Sequence, residues 1–260
     1  MSDVIHTGYE TRPPSPQTIV DIFAGAWKSA LPGLTSGDAE MFEDVRPAWF
    51  ASAIPDGLNL KTVLDLGPFE AYQTRQLEKL GALSIDSVEG NRINFLKCLC
   101  LKEVYGLKAR FKHGDLLGAL REATAYDVVW ASGVLYHMQD PVAFLEEACR
   151  VGTHLYIWTH YFDQNLISPD QLRHFIPDHD RNHAHETGNI RLYARSYMIP
   201  DYSNLPLYWE GAPEDLTYWM GLDDIRRVLE HKGFDLVRFE TAQMDPPGLP
   251  CLQLVASRRL

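Results

Sequence analysis

Long hydrophobic runs are missing from this 260-residue chain. No window approaches about eighteen consecutive apolar residues, so no membrane span is expected. The N-terminus, Met1-Ser2-Asp3, has no basic region followed by an apolar stretch; no secretory leader is visible, and a cytoplasmic location is the expectation. Cysteine is scarce. Cys98 and Cys100 share one expected helix, Cys149 and Cys251 lie far away, and no Cys-x-x-Cys pair exists, which leaves buried free thiols as the simplest reading. Positive charge is also short: 24 Lys and Arg against 35 Asp and Glu give a net charge of −11. A phosphate-backbone partner normally needs a basic face, so a nucleic-acid ligand is disfavoured. The Gly-x-Gly-x-x-Gly fingerprint is absent as well, which argues against a nicotinamide or flavin site.

What is present is a regular alternation from Lys61 onward, the pattern of a parallel sheet built from βαβ units. Strands are expected at Thr62–Leu66, Leu83–Val88, Ala109–Lys112, Tyr126–Ser132 and His154–Trp158. Helices are expected between them at Glu70–Leu80, Asn91 to about Tyr105, Leu116–Ala123 and Pro141–Arg150. Before this core, Ile19, Ile22, Phe23 and Trp27 recur at helical spacing, as do Phe42, Val45, Trp49 and Phe50, suggesting an N-terminal helical cap. The rhythm fails from Phe162 to Pro213, a stretch too long for an ordinary loop and read as a lid. It resumes with helix Leu222–Lys232 and strands Phe234–Glu240 and Cys251–Ser257, an antiparallel hairpin that closes the sheet.

The fold class expected is therefore α/β, a doubly wound seven-stranded sheet, mostly parallel with one antiparallel strand, plus the helical cap and the lid insertion. The expected divisions are 1–58 for the N-terminal arm and cap, 59–161 for the cofactor-binding core, 162–215 for the lid and 216–260 for completion of the core sheet. In a doubly wound sheet a nucleotide-like cofactor docks at the carboxyl ends of the strands. Three acids stand there in turn: Asp65, Glu89 and Asp115. Acids so placed suit a ligand with a cationic amino-acid part, a ribose diol and an exocyclic amine, which describes S-adenosylmethionine. Asp115 also reads as a helix N-cap.

The strand order and three motifs resemble the class I S-adenosylmethionine-dependent methyltransferases over about residues 60–160 and 217–258. Val63-Leu64-Asp65-Leu66-Gly67 is similar to that family's first motif, and Val88-Glu89-Gly90-Asn91 to its second strand end. Tyr126 to His137, ending Gly-Val-Leu-Tyr-His before Asp140-Pro141, is similar to its fourth-strand motif. The resemblance implies that Asp65 balances the ammonium and sulfonium end, Gly67 admits the methionine part and Glu89, beside Asn91, accepts from the ribose hydroxyls. Asp115 would then take the adenine amine with Leu116 against the ring, and the Gly133 carbonyl would receive the ammonium. The chain departs from the family's Asp-x-Gly-x-Gly-x-Gly: Phe69 and Ala71 replace the second and third glycines. The loop is expected to take another path, with Glu70 supplying a carboxylate to the ammonium.

Methyl transfer from a sulfonium is an in-line displacement that needs alignment, exclusion of water and often removal of one proton. The residues after strands four and five face that point. His137 and His160 are the candidate bases, and Tyr136 and Tyr161 are expected to shape the substrate pocket. In the lid, Arg191 and Arg195 are candidate anchors for an anionic substrate. His174, His179, His183 and His185 with nearby acids could hold a divalent metal, but no helical period aligns them and no metal site is assigned. Tyr193, Tyr197, Tyr208, Trp209, Tyr218 and Trp219 make this region aromatic-rich. The reading is O- or N-methylation of a small-molecule acceptor such as a saccharide, a nucleotide-linked compound or a secondary metabolite, by a soluble protein that could pair as a homodimer. Two rivals stay open: a transfer-RNA-modifying methyl- or alkyltransferase, which the Gly-Val-Leu-Tyr-His string also resembles, and a non-catalytic protein that keeps the fold.

Overall fold

The computed structural model describes residues 8–196, 216–244 and 248–259. Ten strands and eight α-helices alternate along these residues. The cap contributes α1 (Pro16–Val20) and α2 (Arg46–Ala51). The core then runs β1 (Thr62–Leu66), α3 (Tyr72–Lys79), β2 (Ser84–Glu89), α4 (Arg92–Tyr105), β3 (Arg110–His113), α5 (Leu116–Glu122), β4 (Tyr126–Ser132), α6 (Pro141–Val151) and β5 (Gly152–His160). There follow α7 (Pro169–Leu172), β6 (Arg181–His185), β7 (Gly188–Ser196), β8 (Leu216–Met220), α8 (Leu222–His231), β9 (Phe234–Met244) and β10 (Leu249–Arg258).

The main sheet has seven strands in the order β3-β2-β1-β4-β5-β10-β9, and β10 runs antiparallel to both of its neighbours. The order reverses between β1 and β4, which pair in parallel from Val63–Val128 to Leu66–Ala131. Because the sheet is covered on both faces, its central strands are mainly apolar, as buried parallel strands require. Leu64, Val129, Leu155 and Ile157 pack with Phe144, Leu145 and Val228 on one side. Val63, Val128, Trp130 and Tyr156 pack with Phe50 and Leu77 on the other. Trp130 and Tyr156 stack at 3.8 Å with their planes 12° apart, and Phe50 meets both rings edge-on.

Helix starts are set by short polar caps that accept from backbone N–H groups otherwise left without partners. Asn91 caps α4, accepting from Ile93 and Asn94; Asp115 caps α5, accepting from Gly118; Asp140 caps α6, accepting from Ala143. The cap's first helix is shorter than its apolar spacing predicts. It tightens to a 3-10 turn at Asp21–Phe23 and breaks at Gly25, whose φ of 76° no continuing helix tolerates. Ile22 consequently faces solvent, while Val20, Phe23, Trp27 and Phe42 pack onto Tyr72 and Leu101. Among the described residues no helix is long and apolar enough to cross a membrane.

The lid region is more ordered than its composition suggests. β6 and β7 form a hairpin, and β8 pairs antiparallel with β7 to complete a separate three-stranded sheet. Leu216–Met220 therefore belongs to the lid sheet and not, as the expected boundary at 216 had it, to completion of the core. Its signal lies in Ile190, Leu192 and Ala194, whose alternation is that of a half-buried strand. These residues, with Tyr218 and Met220 of β8, join the main core cluster beside Met138 and Phe144.

One ion pair ties the pieces together. Lys97 of α4 and Glu70 are both fully buried, with Nζ 2.6 Å from Oε1. Glu70 also accepts from the backbone N–H of Lys28 and Ser29, and Lys97 donates to the carbonyl of Ala26. Removing one member of a buried pair leaves an uncompensated charge. Lys97→Met is expected to cost about 3 kcal/mol of stability. Adding Glu70→Gln should recover more than half of the loss, because a neutral amide oxygen still accepts from Ser29. Urea unfolding of the single and double variants measures both effects; an unchanged midpoint for Lys97→Met would contradict the structural weight given to the pair.

Candidate active site

The carboxyl ends of β1, β2 and β3 lie side by side in the sheet, so their acids form a row. Asp65 is buried, and its Oδ2 accepts from Thr74 Oγ1 at 2.6 Å and Ser87 Oγ at 2.8 Å. Glu89 closes β2 and accepts from the N–H of Asn91 at 2.8 Å and of Phe69 at 3.0 Å, one on each oxygen. A carboxylate has about four acceptor positions, so the backbone bonds from Asn91, Phe69 and Gly90 do not exhaust it. Burial pushes the Asp65 carboxyl up to about 6 against the opposing bonds from Thr74 and Ser87. Burial likewise raises Glu89 to about 7, with Asp65 adding like-charge repulsion and the backbone bonds of Asn91 and Phe69 working the other way.

The turn after β1 keeps a glycine-like path without the glycines. Gly67, Phe69 and Ala71 have φ of 72°, 56° and 52°, left-handed at each of the three positions. The altered loop expected from the sequence is left-handed at all three positions. Gly67 has no room for a side chain, since a Cβ would lie 2.4 Å from Val134 Cγ1. Phe69 and Ala71 carry the conformational cost of a left-handed non-glycine residue, held by surroundings that fix the turn. The Phe69 N–H donates to Glu89, the Phe69 carbonyl accepts from Cys98 Sγ, and the Ala71 N–H donates to the Pro68 carbonyl.

Several expected site residues have other partners here. The Glu70 carboxylate is turned into the ion pair with Lys97, so its role changes from ammonium ligand to anchor of the loop. Asn91 spends its side-chain oxygen as the α4 cap, and Asp115 places Oδ2 on the Gly118 N–H. Leu116 is buried at the start of α5, and Gly133 takes a φ of 80° with its N–H donating to the Trp158 carbonyl.

Beyond β4 and β5 the rings converge. Tyr136 lies 4.1 Å from His137, 4.8 Å from His160, 5.8 Å from Trp219 and 6.2 Å from Trp158, centroid to centroid. His160 stacks on Trp219 with planes 5° apart, and the Arg195 guanidinium lies over the Trp219 ring at 5.0 Å. The small sheet supplies this wall: Tyr193 and Arg195 of β7 pair in register with Trp219 and Thr217 of β8. Burial lowers His137 to about 3, with Arg195 and His160 adding to the shift, and lowers His160 to about 4. His160 Nδ1 sits 3.1 Å from the Pro250 carbonyl, which fixes the proton on Nδ1 and leaves Nε2 as the ring's acceptor.

The two expected arginines part company. Arg195 is buried in this wall and donates to Gln171, whereas Arg191 is exposed and paired with Asp180. Tyr161 is buried within the main core cluster. Tyr197, Tyr208 and Trp209 lie outside the described residues. His185 contacts Glu146 and His174 is buried elsewhere; among the described residues no group of three or more His, Cys, Asp or Glu is set to hold a metal. Arg46 was missed by sequence reasoning. It reaches from the cap to Ser132 and lies 5.4 Å over Trp158, and only the local string Asp44-Val45-Arg46-Pro47 at a helix entry hints at it.

Residues 64–154 match the family model described as a methyltransferase domain. No match is found among curated proteins. Among solved structures, the chain is similar to the N-terminal domain of EvdMO1 in the presence of S-adenosylhomocysteine and D-fucose, with TM-score 0.66, 19% identity and 94% of each chain covered. It covers 44% of the longer EvdMO1 chain. It is also similar to magnesium protoporphyrin IX methyltransferase from Synechocystis PCC 6803, with TM-score 0.56, 18% identity, 83% of this chain and 81% of that one. A third is 1,6-didemethyltoxoflavin-N1-methyltransferase from Burkholderia thailandensis, with TM-score 0.54, 15% identity, 86% of this chain and 80% of that one. At these identities the likeness is one of fold.

Two outcomes follow from this geometry. Gly67→Ala combines a left-handed φ with a clash against Val134, and should cost about 2 kcal/mol while weakening binding of S-adenosylhomocysteine; thermal melts with and without the ligand read both. The raised carboxyls of Asp65 and Glu89 have a defined pH signature. Between about 4 and 7 the unfolded chain binds fewer protons than the folded one, so their contribution to stability falls as pH rises through that window. A cationic, diol-bearing ligand favours the carboxylates, so S-adenosylmethionine should bind with proton release near pH 6 and more tightly at pH 8 than at pH 5.5. Calorimetry in buffers of different ionisation enthalpy counts the protons; a pH-independent affinity would contradict it.

Proposed function

We propose that this chain, whose residues 64–154 match a methyltransferase-domain model, is a class I S-adenosylmethionine-dependent methyltransferase that transfers the methyl group to a hydroxyl or amine of a small molecule. The observation that carries this reading is the cluster of the Tyr136, Trp158, His160 and Trp219 rings at the ends of β4 and β5. Flat ring faces and a few polar groups suit a sugar ring or a planar metabolite. The D-fucose present with the EvdMO1 domain and the 1,6-didemethyltoxoflavin bound to the Burkholderia enzyme lend support from the same fold. The left-handed turn at Gly67, Phe69 and Ala71 supports a cofactor cleft that is kept. The acidic net charge favours a small acceptor over a nucleic acid.

In this reading Glu89 holds the ribose, Asp65 balances the cationic end of the cofactor, Asp115 and Leu116 lie at the adenine, and the Gly133 carbonyl receives the ammonium. The chemistry is an in-line displacement, and the protein aligns the acceptor atom behind the methyl carbon. His160, with Nε2 as acceptor, orients an acceptor hydroxyl and takes its proton as the new bond forms. A weak base suffices there, because the acceptor oxygen becomes a strong acid once it carries a third substituent. His137 lines the same wall in a neutral state and helps to position the acceptor.

Calorimetric titration of S-adenosylmethionine and S-adenosylhomocysteine tests the foundation. Wild type should bind both in the micromolar range, and Glu89→Ala should weaken each by at least about thirtyfold, the loss of two charge-assisted hydrogen bonds. Incubation with methyl-labelled cofactor and panels of sugars, nucleotide sugars, hydroxy acids and transfer RNA then identifies the acceptor class. Absence of cofactor binding by wild type would sink the enzymatic reading, and labelling of transfer RNA alone would replace the small-molecule one.

A further inference from the structure

Arg46 opens α2 in the cap, far in sequence from the domain core, yet its guanidinium reaches the acceptor end of the cleft. Asp44, two residues earlier, fixes it: Oδ1 accepts from the Arg46 N–H and Nε, each at 2.9 Å, and Oδ2 lies 2.5 Å from Nη2. Asp44 is itself held by Gln73, which donates to Oδ2 at 2.8 Å and accepts at 2.9 Å from the buried Nε1 of Trp130. This chain of bonds runs from the middle of the sheet outward and locks the Nε edge of the guanidinium. Among the described residues the other edge meets only Ser132 Oγ and Tyr72 OH, both at 3.4 Å, long for hydrogen bonds to a charged donor.

The position matters as much as the spare donors. Ser132 and Trp158 are register partners at the carboxyl ends of β4 and β5, next to Gly133. Arg46 lies over Trp158, and the rings continue from Trp158 to His160 at 5.1 Å and from His160 to Trp219 at 5.4 Å, where Arg195 lies at 5.0 Å. A row of rings, Trp158 edge-on to His160 and His160 stacked on Trp219, thus carries a guanidinium at each end, in a chain whose net charge is −11. The Arg46 side chain is 25% exposed, whereas that of Lys97, held in the ion pair with Glu70, is 0%.

We propose that Arg46 reads an oxyanion on the acceptor, a carboxylate or a phosphate, so that the substrate is an acidic ring compound laid along Trp158 with its acid at the Nη edge. The proposal rests on the methyltransferase reading above and adds the charge class of the acceptor. A pre-oriented guanidinium fork with free donors matches either oxyanion, and the ring face beneath it excludes water on one side. Arg46 is then a specificity residue of the acceptor site, separate from the acids that hold the cofactor.

The test uses protein saturated with S-adenosylhomocysteine and three matched probes: 4-hydroxybenzoate, 4-hydroxyphenyl phosphate and the neutral 4-hydroxybenzyl alcohol. At least one acidic probe should bind ten times or more tighter than the alcohol in wild type, and which one does so tells carboxylate from phosphate. Arg46→Gln should abolish that preference, Arg46→Lys should retain part of it, and both variants should bind S-adenosylhomocysteine within about threefold of wild type. Equal binding of all three probes, no binding of either acid, or an undiminished preference in Arg46→Gln would overturn the proposal. Loss of S-adenosylhomocysteine binding in both variants would also overturn it, since Arg46 would then be a clamp between cap and core. Failure of wild type to bind S-adenosylhomocysteine would remove the methyltransferase reading itself, a result distinct from any of these.

Discussion

A buried charge has to be answered within the fold, and the pairing of Glu70 with Lys97 is the constraint on which the rest of the cofactor end depends. Glu70 sits in the turn after β1, between the two left-handed positions Phe69 and Ala71. Its carboxylate cannot stay charged in the interior without partners, and the partners come from three places: Nζ from α4 and two N–H groups from the cap. The turn is therefore bolted to the helix behind it and to the segment above it. Glycine would adopt the same path at no steric cost. Here the surrounding bonds impose on Phe69 and Ala71 what composition does not favour, and Phe69 in return donates its N–H to Glu89.

The second organising feature is the two-faced small sheet. One face, with Ile190, Leu192 and Ala194, completes the main core; the other, with Tyr193, Arg195 and Trp219, packs in a second aromatic cluster with Tyr136 and Phe175. Strand alternation makes this division automatic, because successive side chains point to opposite faces. A small sheet built this way is anchored by burial on both faces. The cap works by a comparable logic. Its apolar residues dock on α3 and α4, and its polar string from Asp44 to Arg46 reaches the ends of β4 and β5.

Much of the core was legible because its signals are local. The strand at Tyr126–Ser132, the helices that begin after Asn91, Asp115 and Asp140, and the C-terminal hairpin follow from apolar runs, caps and turn residues. The row of acids was legible for the same reason, since each stands at the end of its own strand. The partners of those acids were not. That Glu70 would answer Lys97 rather than a ligand depends on where a helix 27 residues later comes to rest. The hairpin of β6 and β7 hid behind scattered histidines and charges on its exposed positions, although Ile190, Leu192 and Ala194 of β7 alternate.

The sequence by itself determined the α/β class, the order of the core strands and the places where strand-end acids stand, because periodicity, capping and turn chemistry act over a few residues. Only the tertiary structure decided which of those acids keep capacity for a ligand, how a glycine-poor turn holds a left-handed path, and that Arg46 and Arg195 arrive from opposite ends of the chain at one row of rings. Each of those outcomes depends on burial and on partners supplied by distant segments. Burial of charge is a property of the assembled molecule, and no stretch of sequence carries it alone.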